Sequence, residues 1–97
     1  MNIHFSEEAI SDAKHAADWY IDQDARPTAA ALHVEIGNAL ARIGAEAGLG
    51  TPGPEGTRIF PVHRSPVSLV DRMQGDMVRV IAVAAQRRRP GYWHGRR

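Results

Sequence analysis

The chain has no cysteine among its 97 residues. That absence excludes a disulfide framework, a thiolate zinc site and a cysteine nucleophile together, and it points to a reducing, cytoplasmic setting. No apolar run approaches the roughly 20 residues that a membrane-spanning helix needs, and Met1-Asn2-Ile3-His4-Phe5 has no basic flank ahead of an apolar stretch. Neither export nor membrane insertion is expected. The five histidines are scattered, and none pairs with a carboxylate at metal-ligand spacing. No metal or other cofactor is expected, and only His63, on an expected strand beside Arg64, is a candidate for general acid-base work.

Lysine is also missing from Thr57 onward, although that part of the chain is strongly basic. Nine arginines there (Arg58, Arg64, Arg72, Arg79, Arg87, Arg88, Arg89, Arg96 and Arg97) face only Asp71 and Asp76, a net of +7. Up to Gly56 the balance reverses, with Lys14, Arg26 and Arg42 against nine acids, a net of −6. The planar guanidinium fork suits carboxylate or phosphate better than a lysine point charge does. An anionic partner for the second half follows, either nucleic acid or an acidic protein segment. The alternative is that the two halves attract each other within the fold.

What remains is ordinary globular composition, 43% hydrophobic, in a length that supports one domain over residues 1–97. Asn2 to Phe5 alternates apolar and polar residues and reads as a first strand. Ser6 is a good helix N-cap, with Glu7 and Glu8 favoured by the dipole of the first turn. Ile10, Ala13, Ala17, Tyr20 and Ile21 recur at helical spacing, so a first helix runs to about Asp22. After the break at Asp24-Ala25-Arg26-Pro27-Thr28, Leu32, Ile36, Ala39, Leu40, Ile43 and Ala47 mark a second helix stopping near Gly48. Its internal glycines, Gly37 and Gly44, each cost on the order of 1 kcal/mol against alanine, and close packing on the first helix is the expected reason.

Gly48 to Gly56 reads as a loop. Beyond it the period falls to two residues, giving strands over Thr57 to His63, Val67 to Met73 and Met77 to Ala85, the last two joined at Gln74-Gly75-Asp76. The order β-α-α-β-β-β predicts an α+β domain: a small, mainly antiparallel sheet with a helical hairpin packed on one face. The other face is expected to be open, with Arg58, Arg64, Arg72 and Arg79 lining it or its edges. Three arginines, a Pro-Gly turn and two aromatics then close the chain in Arg87-Arg88-Arg89-Pro90-Gly91-Tyr92-Trp93.

These residues, in this order, resemble the RelE/ParE superfamily of bacterial toxins from type II toxin-antitoxin systems. The resemblance runs through Phe5-Ser6-Glu7-Glu8-Ala9, Trp19-Tyr20, Ala39-Leu40-Ala41-Arg42-Ile43 and Arg58-Ile59-Phe60-Pro61-Val62. It is strongest from Asp76 to Ala84 and on into Arg87 to Trp93. The chain departs from the pattern at Ser65-Pro66-Val67, where relatives commonly have aromatic-Pro-aromatic, at Asp71, where they have tyrosine, and at Ala85, often histidine. The resemblance implies a cytoplasmic toxin with a ParD-like cognate antitoxin, in a hetero-oligomer. Of its two branches, the nuclease branch places basic groups where this chain has Ile59, Pro61, Ser68 and Gln86, and only Tyr92 matches. The favoured reading is therefore the ParE-like branch, which inhibits DNA gyrase by protein contact, with Trp19, Tyr20, Arg87, Arg88, Arg89, Tyr92 and Trp93 as partner-binding residues. Two alternatives stay open. One is a ribosome-dependent endoribonuclease using Arg58, Arg64, Arg88 and Tyr92, with Arg87 beside them; the other is a degenerate toxin that only binds antitoxin.

Overall fold

A computed structural model describes residues 2–46 and 48–97. Strand β1 (Asn2–Phe5) leads into helix α1 (Glu7–Asp22), which is followed by α2 (Arg26–Ala45), the short β2 (Thr51–Pro52), β3 (Arg58–Pro61), β4 (Val67–Gln74) and β5 (Met77–Ala85). The sheet order is β1-β5-β4-β3-β2. All neighbours are antiparallel except β1 and β5, which run parallel. This is the expected α+β architecture, a helical hairpin over one face of a mostly antiparallel sheet. No helix among the described residues is long and apolar enough to cross a membrane.

Local chemistry accounts for the boundaries. Ser6 caps α1 by accepting the Ala9 amide on its Oγ at 3.1 Å, and Pro27 sits in the first turn of α2, where its missing N–H costs nothing. Glycine-first loops of two residues match the twist of antiparallel strands, and Gly75, at φ 63°, opens the β4-β5 turn this way. The expected loop from Gly48 to Gly56 is more ordered than its composition implies. It holds β2 and a 3-10 turn at Pro54–Gly56. Gly50 permits this, because a Cβ there would lie 2.6 Å from the Ile59 carbonyl oxygen.

The main core lies between helices and sheet: Ala9, Ala16, Leu32, Ile36, Ala39 and Ile43 against Val62, Val67, Leu69, Val78, Val80 and Val83. The stripe on α1 is not the one that hydropathy alone selects. Ala9, Asp12 and Ala16 are buried, while Ile10 and Ile21 are 53% and 40% exposed. The true stripe is offset because small residues let α1 approach β5 closely, and because its one acid, Asp12, is satisfied elsewhere. Gly37 is exposed, with nothing within 4 Å of where its Cβ would stand. Close helix packing is therefore not its reason, and the structure offers no other. Ala47, expected to end the α2 stripe, lies outside the described residues.

The second face of the sheet is not open. Trp93, 5% exposed, packs there on Val70, Ile81 and Ala82, with Ile59, Ala84 and Tyr92 beside them. A shift of register between Val70 and Asp71 leaves Ile81 as an extra residue on β5. Such a bulge turns two successive side chains to one face. Ile81 and Ala82 together thereby make the floor on which the tail sits.

Candidate functional site

Strand β5 outruns its neighbour. β1 pairs only with Met77 to Val80, so Ile81 to Ala85 present a bare edge of backbone amides and carbonyls, which a buried sheet cannot leave unmet. The Asp12 side chain, 4% exposed, fills that role from α1. Its Oδ2 accepts the Val83 amide at 3.1 Å and the Arg96 Nη1 at 2.6 Å, and its Oδ1 accepts Arg96 Nη2 at 3.3 Å. Arg88 Nη1 adds a charge contact at 3.5 Å. The Tyr92 hydroxyl lies 2.9 Å from Asp12 Oδ2 and 3.1 Å from the Val83 carbonyl, donating to one at a time. Arg96 also donates to the Ile81 carbonyl at 3.1 Å.

The tail reaches this position through a run of turns. Gln86 donates to the Pro66 carbonyl, Arg88 to Ala85, Tyr92 to Arg89, His94 to Gly91 and Arg96 to Trp93. Gly91 takes φ 72°, and a Cβ there would strike the His94 ring at 2.7 Å. The Arg88 and Arg96 guanidiniums lie 3.7 Å and 5.0 Å from the Tyr92 ring centroid, a cation-π arrangement. Burial, then the hydrogen bond and charge of Asp12, push the Tyr92 phenol up to about 12. For Arg96 burial pulls downward, yet the hydrogen bond and charge of Asp12 outweigh it and the net shift is upward.

The proposed nuclease set is not gathered in one place. Arg58 starts β3 opposite Asp71, whereas Arg64 stands in the turn beyond the other end of that strand. Arg88 and Tyr92 are at Asp12. His63, expected on a strand, is exposed in the same turn as Arg64, since β3 ends at Pro61. Asp71 is 4% exposed and its Oδ2 has no hydrogen-bond partner. Burial pushes its carboxyl up to about 6, against the opposing pull of Arg58.

The expected partner-binding residues divide between two places. Arg88, Tyr92 and Trp93 are spent inside the tail lock. Trp19 and Tyr20, at the end of α1, instead line an apolar groove of about 350 Å³ with Ala16, Pro66, Val67, Ala85, Gln86 and Arg87. Trp19 is 40% exposed, and the Arg87 guanidinium lies 5.0 Å from its ring centroid. A second hollow of about 260 Å³ shares Tyr20 and Pro66 with the first and adds Leu32, Ala31, Pro27 and Arg64. The two adjoin as a trough through Tyr20 and Pro66, with Arg87 lining one part, Arg64 the other and no acidic residue in either. Arg89 is exposed on the tail side. Sequence reading missed Asp12 and Arg96. The available signal was an acid between Ala9 and Ala16 on a buried helical stripe, in a chain whose other half carries surplus arginine.

A five-stranded sheet with one parallel edge, a helical hairpin on one face and an aromatic, arginine-rich tail on the other agrees with the RelE/ParE resemblance read from the sequence. The family model for the ParE toxin of the type II toxin-antitoxin system parDE matches residues 3–90, and the chain belongs to that family. Among solved structures, one titled "Chromosomal ParDE TA system from P. aeruginosa" superposes with a TM-score of 0.77 at 20% identity, covering 88% of this chain and 95% of that one. No curated protein matches the chain.

Proposed function

We propose that this ParE-type toxin acts by protein contact on DNA gyrase and is neutralised by a cognate antitoxin, with an acidic, amphipathic antitoxin segment seated in the trough beside Trp19. One observation carries the choice of contact over cleavage: Tyr92, the only residue matching the nuclease branch, is locked between Asp12 and Val83. Phosphodiester cleavage needs a proton acceptor near neutral pH within reach of cationic groups. A phenol pushed up to about 12 is a poor one, and Arg58 and Arg64 are not beside it.

The trough supports the antitoxin half of the reading. Its apolar floor fits the buried side of an amphipathic segment, and Arg87 and Arg64 in its lining fit carboxylates flanking that side. The outward arginines Arg87 and Arg89 are the tail residues left for partners. The purified chain is to be assayed for gyrase supercoiling and, in parallel, for messenger RNA cleavage on ribosomes. Inhibited supercoiling with intact message is expected; cleaved message with normal supercoiling refutes the reading. Trp19→Ala is expected to weaken antitoxin binding by roughly 30-fold, as loss of an interface aromatic does. Undiminished binding by that variant removes the trough from the interface.

A further inference from the structure

The tail-side face of the sheet carries more arginine than its own carboxylates neutralise. His4, Arg79 and Arg72 form one row across three strands, His4 in register with Arg79 and Arg79 with Arg72. Val78 and Val80 point into the helix-side core, so Arg79 between them faces the tail, as does Arg72. Like charges placed directly opposite on one face are destabilising. No side-chain carboxylate pairs with either: among the described residues the ion pairs are those of Arg88 and Arg96 with Asp12.

Main-chain oxygens and one imidazole hold the two guanidiniums instead. Arg72 donates through Nε to the Glu55 carbonyl at 3.1 Å and through Nη1 to the Arg96 carbonyl at 3.2 Å. Arg79 donates through Nε to the main-chain oxygen of Arg97, the last residue of the sequence, at 3.1 Å and through Nη1 to His4 Nδ1. The Glu55 and Arg96 carbonyls orient Arg72 without cancelling its charge, and Nη2 of each guanidinium makes no hydrogen bond among the described residues. Arg97 follows in the tail itself. Arg89 adds its charge beside a hollow of about 260 Å³ over Ile59, Ser68 and Val70, which no acidic residue lines. Of the carboxylates on this side Asp12 is engaged as described, and Glu55, held by the Gly95 amide, is the one acid set against these arginines.

We propose that this face binds the phosphate backbone of nucleic acid. Carboxylates of a protein partner suit it less well, because the face offers charge without an exposed apolar anchor: its tryptophan, Trp93, is buried, whereas the trough exposes Trp19. Phosphate binding requires pre-oriented guanidiniums spread over a surface. The proposal stands apart from the gyrase reading, and its failure leaves that reading untouched.

Fluorescence anisotropy of the full chain tests it, with a labelled duplex DNA and a single-stranded RNA of about 20 nucleotides, over roughly 50 to 200 mM salt. With Arg72, Arg79, Arg89 and Arg97 engaged, the log-log salt slope on duplex is expected near −3 to −4, at ~0.9 per phosphate. Combining Arg89→Gln with Arg97→Gln, whose side chains have no internal hydrogen bond, is expected to reduce that slope by about 2 and to weaken binding at low salt by roughly tenfold. Arg26→Gln, on the helical layer, is expected to change neither. Binding to one probe alone supports the proposal and identifies the nucleic acid. No salt-dependent binding to either probe overturns it, as does an unchanged slope in the double variant. So does preferential capture of poly-glutamate, which identifies an acidic protein partner instead.

Discussion

Replacing Asp12 by alanine removes the acceptor on which α1, the edge of β5 and the tail converge. The Val83 amide is then left in a buried site without a partner, which costs about 1–3 kcal/mol. Arg96 and Arg88 lose their counter-charge, but their side chains are 20% and 39% exposed and turn toward water, so they add about 1 kcal/mol rather than the full cost of a stranded buried charge. A total near 3 kcal/mol is expected, a large fraction of the ~5–15 kcal/mol that holds a small domain. The loss is expected first in the tail, because the helix-side core keeps all its apolar contacts.

Two tryptophans make this measurable. With Trp19→Phe as background, Trp93 is the sole indole and reports on the tail alone. In urea, Asp12→Ala is expected to expose Trp93 at lower denaturant than that at which helical circular dichroism is lost, whereas the two transitions coincide in the parent. Asp12→Asn, which keeps an acceptor for Val83, is expected to lose about half as much. Arg96→Gln combined with Asp12→Ala is expected to fall well short of additive, since both remove one contact. A change within about 0.5 kcal/mol, the range of an ordinary surface substitution, with Trp93 still shielded, refutes Asp12 as the anchor of the tail.

Asp71 titrates in the opposite sense from a stabilising carboxylate. Its folded value of about 6 lies above the ordinary 3.8, so the folded chain holds the proton more tightly; stability is full below about 4, falls as pH rises toward 6 and stays reduced above that. Asp71→Asn is therefore expected to stabilise the protein at pH 7 by on the order of 2 kcal/mol, and to flatten the melting temperature between pH 4 and 7; a variant less stable than the parent at pH 7 refutes the sign. Gly50→Ala places a Cβ against the Ile59 carbonyl at φ 101°, and thermal denaturation is expected to show a loss of about 1–3 kcal/mol, with no loss meaning that β2 moves aside freely. Ser6→Ala removes the cap on α1 and is expected to cost about 1 kcal/mol in chemical denaturation; an unchanged midpoint means that the Ala9 amide finds another acceptor.

Much of the fold is legible because its signals are local. The Ser6 cap, the Pro27 break and the period-two pattern from Val67 to Ala85 all act within a few residues of themselves, and they fall where expected. The errors lie where a distant segment decides. Hydropathy places Ile10 and Ile21 inside α1 because nothing near Asp12 reveals that Val83, Tyr92 and Arg96 lie some seventy to eighty-four residues away as its donors. The second face reads as open because the bulge at Ile81 and the return of Trp93 onto it are tertiary events. At the candidate site, Trp19, Tyr20, Arg87, Arg88 and Tyr92 were legible only as residue types suited to contact, and the approach of Arg87 to Trp19 and of Arg88 and Tyr92 to Asp12 comes from the fold.

The contrast between an acidic first half and a basic second half has two sources, and the structure separates them. Attraction within the fold uses a single acid of the first half: both ion pairs among the described residues end on Asp12. The other acids of α1, Glu7, Glu8, Asp18 and Asp22, remain exposed. Of the nine arginines beyond Gly56, Arg88 and Arg96 share the one charge of Asp12, and Arg72 and Arg79 are held by main-chain oxygens and His4. Internal attraction on its own therefore leaves most of the imbalance unexplained. An edge strand that outruns its neighbour requires one carboxylate, one phenol and one guanidinium to cover its backbone, and the chain supplies these once. Among the described residues the remaining arginines, on the tail face and beside the trough, make no ion pair, and an anion brought by another molecule is what both proposals supply to them.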